Sequence, residues 1–324
     1  MNKLNPTAQQ RPVASGLIGA LLVQFVVPIW IFIGAFTKAQ SATPKLLPRS
    51  ILDAGDILGM QDHYLLLLFI IGIEFLFIGV MFFIPKYSRR AALIILGVFL
   101  AVLSVEMFGY GNYESCGCLG NYSPAPYIMF AIDFVLLLGI ITCKPTLKTH
   151  LLNTGNRGLI GITLFCISLC GYSINNVMLT KEFSSNGGLK LPDSWYPNNL
   201  SDWLGKSIDE IELFSWITWP QDIHTGQQYI IFYGKTCDHC EALLYMHFEF
   251  DLSVPTTLVA IPETKKGFLD NDGFDNPCFD CINTELPIGV DWIIGTPMVI
   301  AIQNGVIHCA VEGEESESPA CLIW

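Results

Sequence analysis

Five uninterrupted apolar stretches constrain this chain more than any other feature: Gly16 to Phe36, Tyr64 to Pro85, Ala91 to Tyr110, Pro126 to Cys143 and Gly158 to Met178. Each approaches the ~20 residues a helix needs to cross the hydrocarbon core of a bilayer. The first and last carry no charge, and the middle three carry one carboxylate each. Ala39-Gln40-Ser41 imitates a signal-peptidase site, but the apolar core ahead of it is too long for a typical signal sequence, so an uncleaved anchor is expected. With 52% hydrophobic and only 14% charged residues in 324, against roughly 25% charged in an ordinary soluble domain, a purely soluble protein is excluded.

Charge divides the chain in two. Residues 1–179 hold eleven Lys/Arg and seven Asp/Glu, whereas residues 180–324 hold six and twenty-two. Two halves of opposite charge and different hydrophobicity read as two domains. The acidic half makes nucleic acid an unsuitable partner, because such binding rests on Lys and Arg neutralising phosphates. Within the apolar half, Lys3, Arg11, Lys86, Arg89, Arg90, Lys144, Lys148 and Arg157 all fall on one side of the five spans. By the positive-inside rule that side is cytoplasmic, in a bacterial inner membrane with the amino terminus inside. Lys38, Lys45 and Arg49 fall in a longer outer loop, balanced by Asp53, Asp56 and Asp62. An odd number of spans then puts the acidic half in the periplasm. The expected division is a tail over 1–15, a four-helix membrane domain over 16–143, a connection with the fifth span over 144–179, a linker over 180–199 and a soluble domain over 200–324.

An outer location changes the reading of the eleven cysteines, since disulfides persist in oxidising compartments. Cys116 and Cys118 flank a glycine in the outer 3–4 loop. A disulfide across one residue closes a tight ring, which suits an exchanging pair; a static disulfide or half a metal site is the alternative. Glu74, Glu106 and Asp133 lie roughly 15, 6 and 10 Å below the outer ends of their spans at the rise of a helix. Carboxylates in hydrocarbon are paired, protonated or functional. Proton handling beside a redox site and interhelical hydrogen bonding are both open for them. Cys166 and Cys170 stand one helical turn apart, poor geometry for a disulfide, so with Cys143 they are expected to pack.

In the soluble half, Gln228 to Tyr233 is a buried-strand pattern leading through Gly234-Lys235-Thr236 into Cys237-Asp238-His239-Cys240. Glu241 to Phe250 fits a helix with Leu243, Leu244, Met246, His247 and Phe250 available to its inner face. Further on come a strand over Pro255 to Ile261, then Gly295-Thr296-Pro297, a strand over Met298 to Gln303, the turn Asn304-Gly305 and a return strand over Val306 to Val311. A helix amino terminus favours an anion, so the first thiol of the pair is expected to be acidified, with His239 adding to the effect and making the disulfide more oxidising. Zinc at Cys237 and Cys240 would need Cys278 and Cys281 as partners, at a longer spacing than zinc sites use. Cys278 with Cys281 reads as a second exchanging pair or a staple, and Cys309 with Cys321 as a staple for the tail.

The order of strand, Cys-x-x-Cys at a helix start and Thr-Pro before a hairpin resembles the thioredoxin-like α/β fold over about residues 200–313. That resemblance implies that Cys237 is the attacking, more exposed thiol and Cys240 the resolving one. It also implies that Pro297 is a cis-proline facing the disulfide and that the Thr296 backbone is open to a substrate chain. Ile231 stands where cytosolic thioredoxins keep a buried acid, and the eleven residues after Gly313 are too few for that family's long last helix. The membrane half, with Ile73-Glu74, a basic turn, the outer Cys-Gly-Cys-Leu-Gly and Asp133, resembles the MauE proteins of methylamine utilisation within the DoxX-like redox group, over roughly residues 17–143. The combination is similar in architecture to vitamin K epoxide reductase homologues fused to thioredoxin modules, without their membrane Cys-x-x-Cys. Together these imply a membrane thiol–disulfide oxidoreductase that forms disulfides in an extracytoplasmic protein with cysteines. Electrons would pass from Cys237/Cys240 to Cys116/Cys118 and on to a quinone, with no bound cofactor or metal expected. A transmembrane reductase and a metal-handling protein are the competing readings.

Overall fold

The computed structural model describes residues 13–113, 124–145, 157–181, 191–250, 253–268, 273–313 and 319–324. The chain forms two compact units, Met1–Thr180 and Lys181–Trp324.

The first unit is helical. Its first helix has two α segments, α1 (Val13–Leu21) and α2 (Val27–Ser41), joined by a π-helical turn over Leu22–Val26 that buries Gln24. α2 stops where Ala42 adopts left-handed backbone (φ 51°) and its N–H donates to the Lys38 carbonyl. After α3 (Arg49–Ile57), α4 (His63–Phe83) starts at Asp62, whose carboxylate accepts from the N–H groups of Tyr64 and Leu65 at 3.0 and 3.2 Å. This satisfies donors that a helix start otherwise leaves open. α4 ends at Ile84 because a residue before proline is pushed away from helical backbone, and Pro85 then opens α5 (Pro85–Gly109). Pro126 opens α6 (Pro126–Thr142) in the same way, and α7 (Arg157–Lys181) follows.

α4 packs against α2 and α5, and α6 packs against α5. Tyr64, Leu67, Ile71, Phe75 and Ile78 are buried along one stripe of α4, at the three- and four-residue steps of a helix face. α7 runs beside α4 and α2: Phe165 meets the rings of Phe75 and Phe83, and Tyr172 stacks on Phe36. Gly79 permits this approach, since a Cβ there would sit 3.2 Å from Ile162. The outward faces are also apolar, with Phe69, Leu76, Ile94 and Ile167 exposed. A helix apolar all round requires lipid or a protein interior around it. Among the described residues four helices, Gly16–Ser41, His63–Phe83, Pro85–Gly109 and Ile160–Thr180, are long and apolar enough to cross a membrane, consistent with a membrane protein. The fourth expected span is α6, a shorter helix of 17 residues.

The first outer loop differs from its expected form. Lys38 belongs to α2, buried within the bundle, and Arg49 opens α3. The apolar run ends at Phe36, but the helix continues because Lys38 finds an acidic partner on α4.

The second unit is built on a mixed five-stranded sheet. Its strands are β2 (Gln227–Tyr233), β3 (Thr256–Ala260), β4 (Ile282–Glu285), β6 (Met298–Gln303) and β7 (Val306–Glu312), in the spatial order β4-β3-β2-β6-β7. β3 runs parallel to both β2 and β4, while β6 is antiparallel to β2 and β7. Alternation along the strands gives two cores. Ile230, Phe232, Val259 and Ile300 face one layer with Trp203, Phe214, Trp216 and Trp292. Ile231, Leu258 and Val299 face the other, with Leu243 and Leu244 of α9 (Asp238–His247), which follows the four-residue helix α8 (Glu212–Ser215). Asn304 and Gly305 close the β6–β7 hairpin with φ of 50° and 75°, as a two-residue turn requires.

Two details depart from the expected pattern. α9 ends at His247, so Phe248 turns inward while Met246, His247 and Phe250 face outward. Within the 180–199 stretch, the short strand β1 (Ser194–Trp195) pairs with β5 (Asp291–Trp292) of the same unit. Its Trp195 ring meets Trp203, Trp216 and Trp292.

Candidate functional site

The carboxyl end of β2, the central strand, delivers Gly234, Lys235 and Thr236 to the start of α9. Cys237 is the N-cap of that helix, and the Cys240 N–H donates to its Sγ at 3.1 Å. The two cysteines form a disulfide with a Cα–Cα distance of 5.2 Å. Cys240 is wholly buried against Leu243 and Leu244, whereas Cys237 is partly exposed and His239 stands exposed on the first turn. A nucleophile arriving from solvent therefore meets the Cys237 sulfur.

Thr296 and Pro297, at the start of β6, face this pair. The Thr296–Pro297 peptide is cis, and Pro297 is buried. The Thr296 hydroxyl donates to Cys237 Sγ at 3.4 Å, and the Thr296 carbonyl oxygen lies 3.8 Å from the same sulfur. Gly234 lies beside both residues: a Cβ there would be in ordinary contact with Cys237 Cβ at 3.4 Å and the Thr296 hydroxyl at 3.9 Å. Lys235 lies 3.7 Å above the Phe268 ring, and its carbonyl accepts from the Phe274 N–H at 3.1 Å. Burial pushes the Tyr233 phenol above its ordinary range, with the carboxylates of Glu285 and Glu263 adding to it. Gly234, Lys235 and Tyr233 did not stand out in the sequence, where only their position beside Cys-x-x-Cys marks them.

The remaining cysteines of the second unit are paired. Cys278–Cys281 and Cys309–Cys321 are disulfides, each with a Cα–Cα distance of 5.4 Å. Cys278 and Cys281 are both buried, and between them Phe279 is 90% exposed. Cys309–Cys321 ties β7 to the final residues, where the Trp324 N–H donates to the Tyr229 hydroxyl at 2.8 Å. Cys143, Cys166 and Cys170 are free thiols. Cys166 Sγ lies 3.8 Å from the Phe75 carbonyl, a packing contact between α7 and α4.

The three membrane-unit carboxylates are each at most 2% exposed. Glu74 Oε1 is ion-paired with Lys38. Asp133 accepts from the Trp30 indole N–H at 2.8 Å. Glu106 accepts from the Ser50 N–H at 2.7 Å, where it caps the start of α3. Glu74, Asp133, Lys38 and Trp30 line one cavity of about 170 Å³, and Glu106 does not contribute to it. The sequence grouped the three acids without this division, and it did not mark Lys38 or Trp30 as their partners. Cys116 and Cys118 lie outside the described residues. Among the described residues no three His, Cys, Asp or Glu side chains are grouped so that they could hold a metal ion.

No family model, curated protein or solved structure matches this chain.

Proposed function

We propose that this protein is a membrane thiol–disulfide oxidoreductase in which five spans carry a thioredoxin-like domain on the outer side of the membrane. The carrying observation is the disulfide on the first turn of α9: a partly exposed Cys237, a buried Cys240 and a Thr296–Pro297 wall beside the sulfur. The likeness of the membrane half to MauE and DoxX-like proteins is part of this reading and rests on the residues quoted from the sequence.

A thiolate of a substrate dithiol attacks Cys237 Sγ and breaks its bond to Cys240. The mixed disulfide then resolves on attack by the second substrate thiolate. The substrate leaves as a disulfide, and Cys237 and Cys240 remain as a dithiol. Backbone N–H groups at the helix start stabilise the departing thiolate, which favours the reduced product and hence oxidation of the substrate. The dithiol then reduces the Cys116–Cys118 disulfide. That pair passes two electrons and two protons to a lipid-soluble quinone. Because both cysteine pairs belong to one chain, the internal exchange is intramolecular.

The test is Cys240→Ser in cells. The variant should hold substrate proteins as mixed disulfides on Cys237, and Cys237→Ser should hold none. Alkylation of the unaltered protein should find Cys237 and Cys240 largely oxidised, and reduced when quinone is depleted. A pair that stays reduced in both conditions would sink the oxidase reading and favour a reductase.

A further inference from the structure

We infer that the cavity bounded by α2, α4, α5 and α6 is the binding site for the ring of a lipid-soluble quinone, with Glu74 and Asp133 as its proton donors. This rests on the thiol–disulfide reading above and assigns its electron acceptor a place.

A cavity of about 150 Å³ lined by apolar side chains takes up benzene, and this one measures about 170 Å³. Most of the wall is aliphatic or aromatic, including Ile31, Ile73, Ile95, Val102 and Met129, and its ionisable side chains are Lys38, Glu74 and Asp133. An apolar wall with a few placed polar groups suits a flat ring that is polar only at its carbonyl ends.

One acceptor in the cavity wall is left incomplete. Glu74 is 2% exposed, and while Oε1 engages Lys38, Oε2 is buried with no hydrogen-bond partner among the described residues. An unsatisfied buried acceptor costs about 1–3 kcal/mol. A quinol hydroxyl would donate to Oε2, and a protonated Glu74 would donate to a quinone carbonyl, so both redox forms of the ligand complete it.

Val98 lines the cavity and is 50% exposed on the side of α5, and its neighbours in the wall, Ile70, Phe99 and Val102, are partly exposed. This rim is aliphatic and aromatic, so the opening faces where acyl chains would lie. A ligand arriving through lipid enters there without crossing a charged surface. Leu47, Pro48 and Ile51 line the same cavity, and they belong to the segment that leads into and forms α3 at the end of the bundle where α5 stops.

The redox step balances. A dithiol that closes its S–S bond releases two electrons and two protons. The ring accepts both electrons, and its two carbonyls become hydroxyls. Asp133 and the Lys38–Glu74 pair each hand over one proton and are recharged by the two protons the thiols release.

The experiment uses the full chain in lipid nanodiscs with a photoreactive azidoquinone and with a short-chain ubiquinone. Labelling should fall on peptides of α2, α4, α5 or α6 and be displaced by the unlabelled quinone. Val98→Trp, at the mouth, should weaken quinone binding about tenfold or more. Glu74→Gln and Asp133→Asn should still take the label but slow quinol formation about 100-fold, the scale of a lost proton donor. Label outside the cavity wall, or a Val98→Trp protein that binds as tightly as the original, overturns the inference. If Val98→Trp does not fold, undiminished quinol formation in folded Glu74→Gln and Asp133→Asn proteins overturns it. Single-turnover exchange of Cys237–Cys240 with a dithiol peptide, measured without quinone, separates the two claims. Exchange without cavity labelling leaves the oxidoreductase and removes this site, whereas labelling without exchange does the reverse.

Discussion

In the helical unit, large apolar side chains such as Phe69, Ile94 and Ile167 stand on the outside while Lys38, Glu74, Glu106 and Asp133 are buried. In the sheet unit Trp203, Phe214, Phe232 and Trp292 are inside, and the core is held further by sulfur: three disulfides, with Cys240 and Cys321 wholly buried. The first unit has an apolar exterior consistent with lipid around it and uses polarity as internal glue. The second uses apolar layers with covalent staples. The cost of losing a contact should therefore differ in kind between them, through desolvated charge in one and through chain entropy or packing in the other.

Lys38→Met offers the largest test. It strands a buried carboxylate and should lower the stability of the solubilised protein by about 3 kcal/mol or more. Adding Glu74→Gln to the same chain should recover most of that loss in thermal unfolding. A double variant as unstable as the single would mean that the pair does not glue the bundle.

Removing the Cys309–Cys321 staple should come next. With a sequence separation of 12 between the cysteines, the double Ser variant is expected to lose about 2–3 kcal/mol. Six of the seven tryptophans lie in the second unit, so urea unfolding followed by their fluorescence reads this loss with little signal from the helices. An unchanged midpoint would show that packing of Trp324 and Tyr229, not the bridge, holds the tail.

Gly305→Ala should cost least, about 1–2 kcal/mol for a side chain at positive φ. Its Cβ would also stand 3.0 Å from the His224 ring. The same fluorescence transition measures it, and a neutral result would mean that the hairpin relaxes without loss.

What the sequence disclosed follows the range of the forces involved. The five long helices of the first unit could be located because apolarity over twenty residues is a local property, whereas the short α3 fell within an expected loop. β2, β6 and the Asn304-Gly305 turn were legible for the same reason, in alternation and in a backbone demand written in two residues. Cys237 and Cys240 marked the start of α9. The Lys38–Glu74 pair was hidden because its partners are 36 residues apart, and a lysine just past an apolar run reads as its flank. β1 escaped notice because two residues carry no period, and its partner β5 lies nearly a hundred residues on. The inward turn of Phe248 depended on where α9 stops, a boundary set by packing.

The π turn at Leu22–Val26 has a consequence for how this chain tolerates insertion and deletion. A π turn holds one residue more than the α-helical turn it replaces, so removing a residue there restores regular winding and leaves Trp30 and Lys38 on their present faces. Removing a residue from α4 ahead of Glu74 has no such reserve. Every side chain beyond the gap would rotate by about 100° relative to those before it, carrying the glutamate away from the lysine. Two neighbouring helices of similar apolarity thus differ in evolutionary slack: the first can change length by one residue without changing its faces, and the second cannot.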